Sequence, residues 1–297
     1  MKVLVTGTSG QLGHDTMLEL EKRGIDCLGA DRQGGENYEF KTTTLDITDK
    51  ENVEKTLENY RPDAVIHCAA WTNVDAAESP ENLAAVRKVN VDGTANLAKA
   101  CKKIGAKMVY ISTDYVFDGQ GTKPWQPDDK NYAPLNVYGQ SKLDGEKAVA
   151  ENLDNFFIVR IAWVFGKNGK NFVKTMLEVG KNHQEVRVVD DQIGTPTYTP
   201  DLARLLVDMI LTDKYGFYHA TNEGGYISWA DFTKEIFKQA GIDSKVIPVT
   251  TAEYGASVAA RPFNSRLDKS KLVSSGFQPL PTWQDALSRY LAELKEN

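Results

Sequence analysis

The first residues of the chain limit its fold more than any other stretch. An apolar strand, Val3 to Thr6, runs into Gly7-Thr-Ser-Gly10-Gln-Leu-Gly13, and a helical pattern from Gln11 to Arg23 follows, closed by Gly24. Ile25 to Ala30 reads as a second strand and completes a β-α-β unit. In such a unit the first glycine makes a tight turn, the middle one lets backbone approach a pyrophosphate, and the third lets the helix pack on the strand. The alternation continues through a capping box at Thr48-Asp-Lys-Glu51, a helix ending near Tyr60, and an apolar strand from Asp63 to Ala69. A long helix around Glu81 to Ile104, a strand Lys107 to Ser112, a helix from about Tyr138 and a strand Phe156 to Ile161 come next. The pattern predicts an α/β fold built on a doubly wound parallel Rossmann sheet.

Beyond Gly166 the regularity loosens. Helices are expected at Asn171 to Lys181, Asp201 to Leu211 and Trp229 to Ala240, with strands at Val186 to Val189 and Gly216 to Ala220. Residues 1–168 plus about 199–221 are therefore assigned to a dinucleotide-binding Rossmann domain, and about 169–198 and 222–297 to a smaller mixed α/β substrate lobe. Gly119 to Pro134, rich in Gly, Pro and Asp, is expected to be a loop placed to act as a lid.

A chain of 297 residues, 41% apolar, is long enough for such a pair of cores. Its net charge of −6, without a lysine or arginine block, gives nucleic acid no electrostatic footprint. No apolar run reaches membrane-spanning length, and no export signal is read at the start. Cys27, Cys68 and Cys101 are odd in number and widely spaced, which fits buried thiols in a reducing compartment, so a soluble cytoplasmic protein is expected. His14, His67 and Cys68 match no metal-ligand spacing, and no metal is expected.

The chemistry is read from Tyr138-Gly-Gln-Ser-Lys142. Residues four apart on a helix share a face, so the Lys142 ammonium is expected to lie near the Tyr138 phenol and to lower its pKa toward working pH. Ser112-Thr113-Asp114 ends a strand at the ligand-binding edge of the sheet, where the Thr113 hydroxyl is placed to polarise a substrate carbonyl. Asp31, closing the second strand, suits an adenosine ribose and so NADH, whereas Arg32 suits a 2′-phosphate and so NADPH. Asp46 and Ile47, and Ala69 and Ala70, fall at strand ends that face the adenine and the nicotinamide ribose.

These residues, together with Ala69-Ala-Trp-Thr-Asn-Val-Asp-Ala-Ala-Glu78, Arg160-Ile-Ala-Trp-Val-Phe-Gly166, Asp191-Gln-Ile-Gly-Thr-Pro-Thr197 and Arg261-Pro-Phe-Asn-Ser-Arg-Leu-Asp268, carry a resemblance over nearly the whole chain. The sequence resembles the extended short-chain dehydrogenase/reductases, and within them the branch that reduces nucleotide 4-ketosugars. The resemblance implies NADPH- or NADH-dependent reduction of the C4 ketone of dTDP-4-dehydro-β-L-rhamnose. It also implies that Gln11, Leu12, Gly13, Asp46, Ile47, Ala70, Trp71 and Thr72 touch the cofactor, that Thr113, Asp114 and Trp163 hold the deoxysugar, and that Arg261 and Asn264 lie against the nucleotide. The family often has tyrosine where Trp71 stands. Some members are magnesium-bridged dimers, but the tail Ala292 to Asn297 offers few carboxylates, so a monomer or homodimer without metal is expected. Related dehydratases look to carry Asp-Glu after the strand-end threonine; Asp114-Tyr115 here favours plain reduction. Reduction of another nucleotide 4-ketosugar, epimerisation and a non-catalytic regulatory role are the alternatives, the last opposed by an intact Tyr138, Lys142 and Thr113.

Overall fold

The computed structural model describes residues 1–33, 40–255 and 257–295. Its strands are β1 (Lys2–Thr6), β2 (Asp26–Asp31), β3 (Thr42–Thr44), β4 (Ala64–His67), β5 (Lys107–Thr113), β6 (Phe156–Ile161), β7 (Val164–Phe165), β8 (Glu185–Val189), β9 (Ile193–Gly194), β10 (Thr197–Tyr198), β11 (Gly216–His219), β12 (Ile227–Ser228) and β13 (Lys245–Val249). The helices are α1 (Gln11–Lys22), α2 (Lys50–Tyr60), α3 (Val74–Ala77), α4 (Leu83–Arg87), α5 (Thr94–Ile104), α6 (Val137–Asn152), α7 (Phe172–Asn182), α8 (Thr199–Ile210), α9 (Trp229–Ala240), α10 (Thr251–Tyr254), α11 (Ser270–Ser274) and α12 (Trp283–Lys295).

Seven parallel strands form the main sheet in the order β11-β6-β5-β4-β1-β2-β3. Strand order reverses between β1 and β4, and a crevice opens there at the carboxyl edge. Both faces are covered, which explains why the strands read as continuous apolar runs. Leu12, Met17 and Leu20 of α1 pack with Leu202, Leu205 and Met209 of α8 on one face. Val53, Leu57, Leu97 and Val149, from α2, α5 and α6, fill the other. Each such burial contributes about 1.5–3 kcal/mol, so the sheet is the rigid frame on which its strand ends are held. A separate core on Phe165, Tyr198, Phe232, Trp283 and Tyr290 lies beyond the sheet's edge, beside the β8–β13 pair.

Three local expectations are corrected. The helix read as continuous from Glu81 to Ile104 is divided: a 3₁₀ turn at Pro80–Asn82 leads into α4, a π-helical segment at Lys88–Gly93 follows, and only then α5. The wide turn is imposed by packing, because Asn90 is drawn inward to the backbone of Trp71. The cap of α2 is Asp49 and not Thr48, since the Thr48 amide is already bonded to Asp46 and the first turn starts one residue later. The Gly119–Pro134 segment is a loop, but it is fastened down and is no free lid. The Asn264 amide donates to the carbonyls of Gln120 (3.1 Å) and Lys123 (2.8 Å), Trp125 pairs with Arg266 and Asp268 through backbone, and Asn136 donates to Ala260.

Candidate active site

The glycine loop closes on the crevice between β1 and β4. Gly7 has φ of 74°, and a Cβ there would lie 2.6 Å from the Ala69 amide nitrogen, so two strand ends touch through bare backbone. A Cβ on Gly13 would meet the Gly7 carbonyl oxygen at 2.2 Å, which is how the first turn of α1 nests into the loop. Gly10 caps α1 without a side-chain acceptor, leaving the first-turn amides directed toward the loop. Such an N-terminus, uncapped and walled by glycine, fits a dinucleotide pyrophosphate.

Around it, Asp31 is committed to the loop. It accepts from the Ser9 hydroxyl (2.6 Å), the Ser9 amide (3.1 Å) and the Arg32 amide (2.7 Å), while Arg32 is exposed. Burial acts to raise the Asp46 carboxyl, but Thr48 hydrogen bonds and then Arg32 hold it below its ordinary value. Leu12 and Ile47 belong to the cores on the two faces of the sheet, at 8% and 6% exposure. Ala69, Ala70 and Trp71 are half-buried and Thr72 is exposed. Asn90, which sequence reasoning missed, pins Trp71 by both its amide and its carbonyl (2.8 and 3.1 Å) and donates to Ser141 of α6 (2.9 Å). No sequence signal marks it, because its role follows from the π-helical turn.

Two strands along, at the end of β5, lie the polar groups expected to react. Thr113 donates to Asp114 (2.9 Å) and accepts from the Tyr115 amide (3.2 Å), and its hydroxyl acts to lower the Tyr138 phenol. Tyr115 supports the Tyr138 ring edge-on at 5.7 Å between centroids. Asn136 caps α6 through the Gly139 amide (2.7 Å) and so sets where Tyr138 emerges. Lys142 is 3% exposed, with its ammonium 4.1 Å above the ring of Tyr110. Burial drives Lys142 down to about 7, against the opposing pull of Glu146 and then Cys68.

The expected acidification of Tyr138 by Lys142 is not what the structure holds. Burial pushes the phenol well above its ordinary value, Asp114 pushes it further, and only the Thr113 hydroxyl opposes them. Lys142 is not among the groups that act on the phenol, so desolvation decides its shift. Burial likewise raises Asp114 to about 6, despite the Ser265 and Thr113 hydroxyls, and its Oδ2 is buried with no hydrogen-bond partner among the described residues. His67 is a packed residue between Thr6 (2.7 Å) and Thr94 (3.1 Å), lowered to about 3 by burial and then by Lys142.

From beyond the sheet, Trp163 stacks on Trp229 with centroids 3.7 Å apart and holds φ of 53°, an uncommon conformation for a bulky residue. Arg261 forms a two-pronged ion pair with Asp75 (3.1 and 2.8 Å) and lies against Tyr115, at the side of the Tyr138 pocket. Asn264, 1% exposed, braces the Gly119–Pro134 loop and is not brought to the pocket by its amide. Among the described residues no cluster of His, Cys, Asp and Glu is arranged to hold a metal ion; Glu296 and Asn297 of the tail lie outside them.

The family model described as RmlD substrate binding domain matches residues 1–296. The chain belongs to this family. Among RmlD relatives it is 41% identical to the dTDP-4-dehydrorhamnose reductase of Streptomyces griseus, over 96% of this chain and 91% of that protein. The crystal structure of a dTDP-4-dehydrorhamnose reductase from Clostridium acetobutylicum superposes with a TM-score of 0.91 at 41% identity, covering 99% of this chain and 100% of that one. The crystal structure of the dTDP-4-dehydrorhamnose reductase from Bacillus anthracis in complex with NADP gives 0.90 at 41% identity, covering 98% of this chain and 99% of that one.

Proposed function

We propose that the protein reduces the C4 ketone of dTDP-4-dehydro-β-L-rhamnose to dTDP-L-rhamnose. The observation that carries this reading is that Tyr115 bridges the two groups expected to react: its amide donates to the Thr113 hydroxyl at the end of β5 and its ring supports the Tyr138 ring, while Lys142 reaches the β5 residue Tyr110 from the same helix as Tyr138. The full-length likeness to reductases of that name supports the substrate. NADPH or NADH, held by the loop Gly7, Gly10, Gln11 and Gly13, supplies the hydride.

Tyr138 is the general acid. As the carbonyl carbon accepts hydride, its oxygen takes the phenol proton, and an alkoxide is basic enough to accept from a phenol whose pKa is raised. High phenol pKa therefore keeps the acid loaded at neutral pH. Thr113 donates to the same oxygen, after turning from Asp114, and stabilises its growing negative charge. Lys142, as the ammonium, offsets charge left on the phenolate and holds ribose hydroxyls of the cofactor. Asp114 and the strained Trp163 form the sugar wall, and Arg261 meets the nucleotide's phosphates by exchanging Asp75 for them. Residues 1–168 with about 199–221 would serve as the dinucleotide-binding unit, and about 169–198 with 222–297 as the substrate lobe. Three free thiols support a cytoplasmic setting.

The test is a stoichiometric assay of the purified chain with dTDP-4-dehydro-β-L-rhamnose, following absorbance of the reduced cofactor. One equivalent consumed per ketone, with dTDP-L-rhamnose formed, supports the reading. Turnover of substrate without cofactor consumption would make the protein an epimerase instead.

A further inference from the structure

Behind Lys142 sits a fully buried ion pair that hydride transfer does not itself require. Arg160 of β6 is 0% exposed and Glu146 of α6 is 2% exposed. The guanidinium grips both carboxylate oxygens at 2.8 Å, and the Ser112 hydroxyl donates to the same carboxylate at 2.5 Å. Arg160 also donates to the Pro127 carbonyl (3.1 Å) and the Tyr132 hydroxyl (2.9 Å) of the Gly119–Pro134 loop. A buried pair is weak as a source of stability, because desolvating both charges offsets most of their attraction. Its position is informative. Ser112 directly precedes Thr113, and Glu146 lies one helical turn beyond Lys142 on the same face of α6. The helix can approach β5 this closely because residue 145 is glycine: a Cβ there would sit 2.2 Å from the Tyr110 hydroxyl.

We propose that Glu146 is a positioning residue of the reaction: clamped between Ser112 and Arg160, its carboxylate keeps Lys142 an ammonium and keeps Thr113, Lys142 and the Pro127–Tyr132 loop in one register. This rests on the assignment of Tyr138 and Lys142 above. The groups facing the pair are few. Lys142 meets the Tyr110 ring from β5 and has Cys68 and His67 on the β4 side and Tyr138 on its own helix. Glu146 meets Ser112, Arg160 and Tyr110, and Arg160 faces His219 of β11 across 3.5 Å. His67 and His219 are both driven toward the neutral form by burial, and burial raises Tyr110 and Cys68, so neither histidine adds a cation and neither acid adds an anion near neutrality. Glu146 is then the one carboxylate among these that stabilises the ammonium, and Arg160 tempers it.

The two partners consequently have opposite effects, which a structural brace alone would not produce. The measurement is the pH profile of kcat/KM for the full chain, with thermal melting and NADPH binding followed alongside. In the parent protein activity should fall as pH rises through about 7, the value to which burial lowers Lys142. Glu146→Gln keeps the shape and removes the charge, so the fall moves to lower pH by about one unit or more. Arg160→Gln frees the carboxylate for Lys142, so the fall moves to higher pH. Each sign stands alone if the other variant does not fold. A fall that moves the same way in both, or in neither, overturns the role of Glu146. Tyr138→Phe in the same assay separates this from the wider reading: full activity there defeats the assignment of the acid itself.

Discussion

At the end of β1 the glycine loop proposed to hold the cofactor is shaped by backbone against backbone, whereas at the end of β5 the groups proposed to react are held by buried charge. Gly7 and Gly13 let main-chain atoms touch where any side chain would intrude. Around Tyr138, by contrast, Asp114, Lys142, Glu146 and Arg160 are all at least 97% buried. A backbone-defined site tolerates little change of shape, and a charge-defined site tolerates little change of protonation. The two ends should therefore fail in different ways when altered.

The largest expected effect is chemical. Tyr138→Phe removes a general acid and should lower kcat by about 10²- to 10⁴-fold while leaving NADPH affinity, read by fluorescence titration, nearly unchanged. A variant that lost affinity and turnover together would blur the distinction between the ends. Gly13→Ala should show the reverse. The added methyl would lie 2.2 Å from the Gly7 carbonyl, and neither backbone can give way cheaply. Overpacking of this kind costs about 1–3 kcal/mol of stability, and dinucleotide binding should weaken more than tenfold. Unaltered cofactor binding in Gly13→Ala would show that the loop is not tightly defined.

The same contrast explains what could be read in the sequence. The glycine spacing, most of the strand–helix alternation and the helix that carries both Tyr138 and Lys142 are local patterns, and each appears in the structure where its periodicity places it. Interactions between distant segments left no such trace. Asn90 acts through a π-helical turn that no spacing announces, and the fastening of the Gly119–Pro134 loop depends on Asn264, some 140 residues away. The protonation of Tyr138 escapes the sequence for a related reason: helical spacing is legible, but desolvation is not. Glu146 was within reach, four residues beyond Lys142 on the same helix face.

A smaller effect is expected at the cofactor loop. Asp31 is held by Ser9 and by the Arg32 amide, so it braces the loop and is poorly placed to choose the cofactor, while Arg32 is exposed beside Asp46. Arg32→Ala should weaken NADPH by about tenfold, in the range of a charge-assisted hydrogen bond, and leave NADH within about twofold. Equal loss for both cofactors would return the choice to Asp31.

An effect of another kind is one of stability, and its sign differs between the two ends. Asp114 has a folded pKa of about 6, above its ordinary 3.8, so the folded chain binds more protons than the unfolded chain between those values. The stability it contributes is present below about pH 4, declines as pH rises through this window, and stays low above it. Asp114→Asn removes the charge and keeps the shape, so it should melt higher than the parent at pH 8, by on the order of 2 kcal/mol, with little difference at pH 4. Asp46 is held below its ordinary value by Thr48 despite its burial, so its contribution is present at neutral pH and is lost as pH falls. Asp46→Asn should accordingly melt lower than the parent at pH 8 and converge with it in acid. Melting curves of the two variants at both pH values would expose the difference directly: the carboxylate near the cofactor loop is satisfied where it stands, and the one beside Tyr138 is held in place against its own ionisation. Parallel curves for the two variants would mean that the strand ends differ in shape alone.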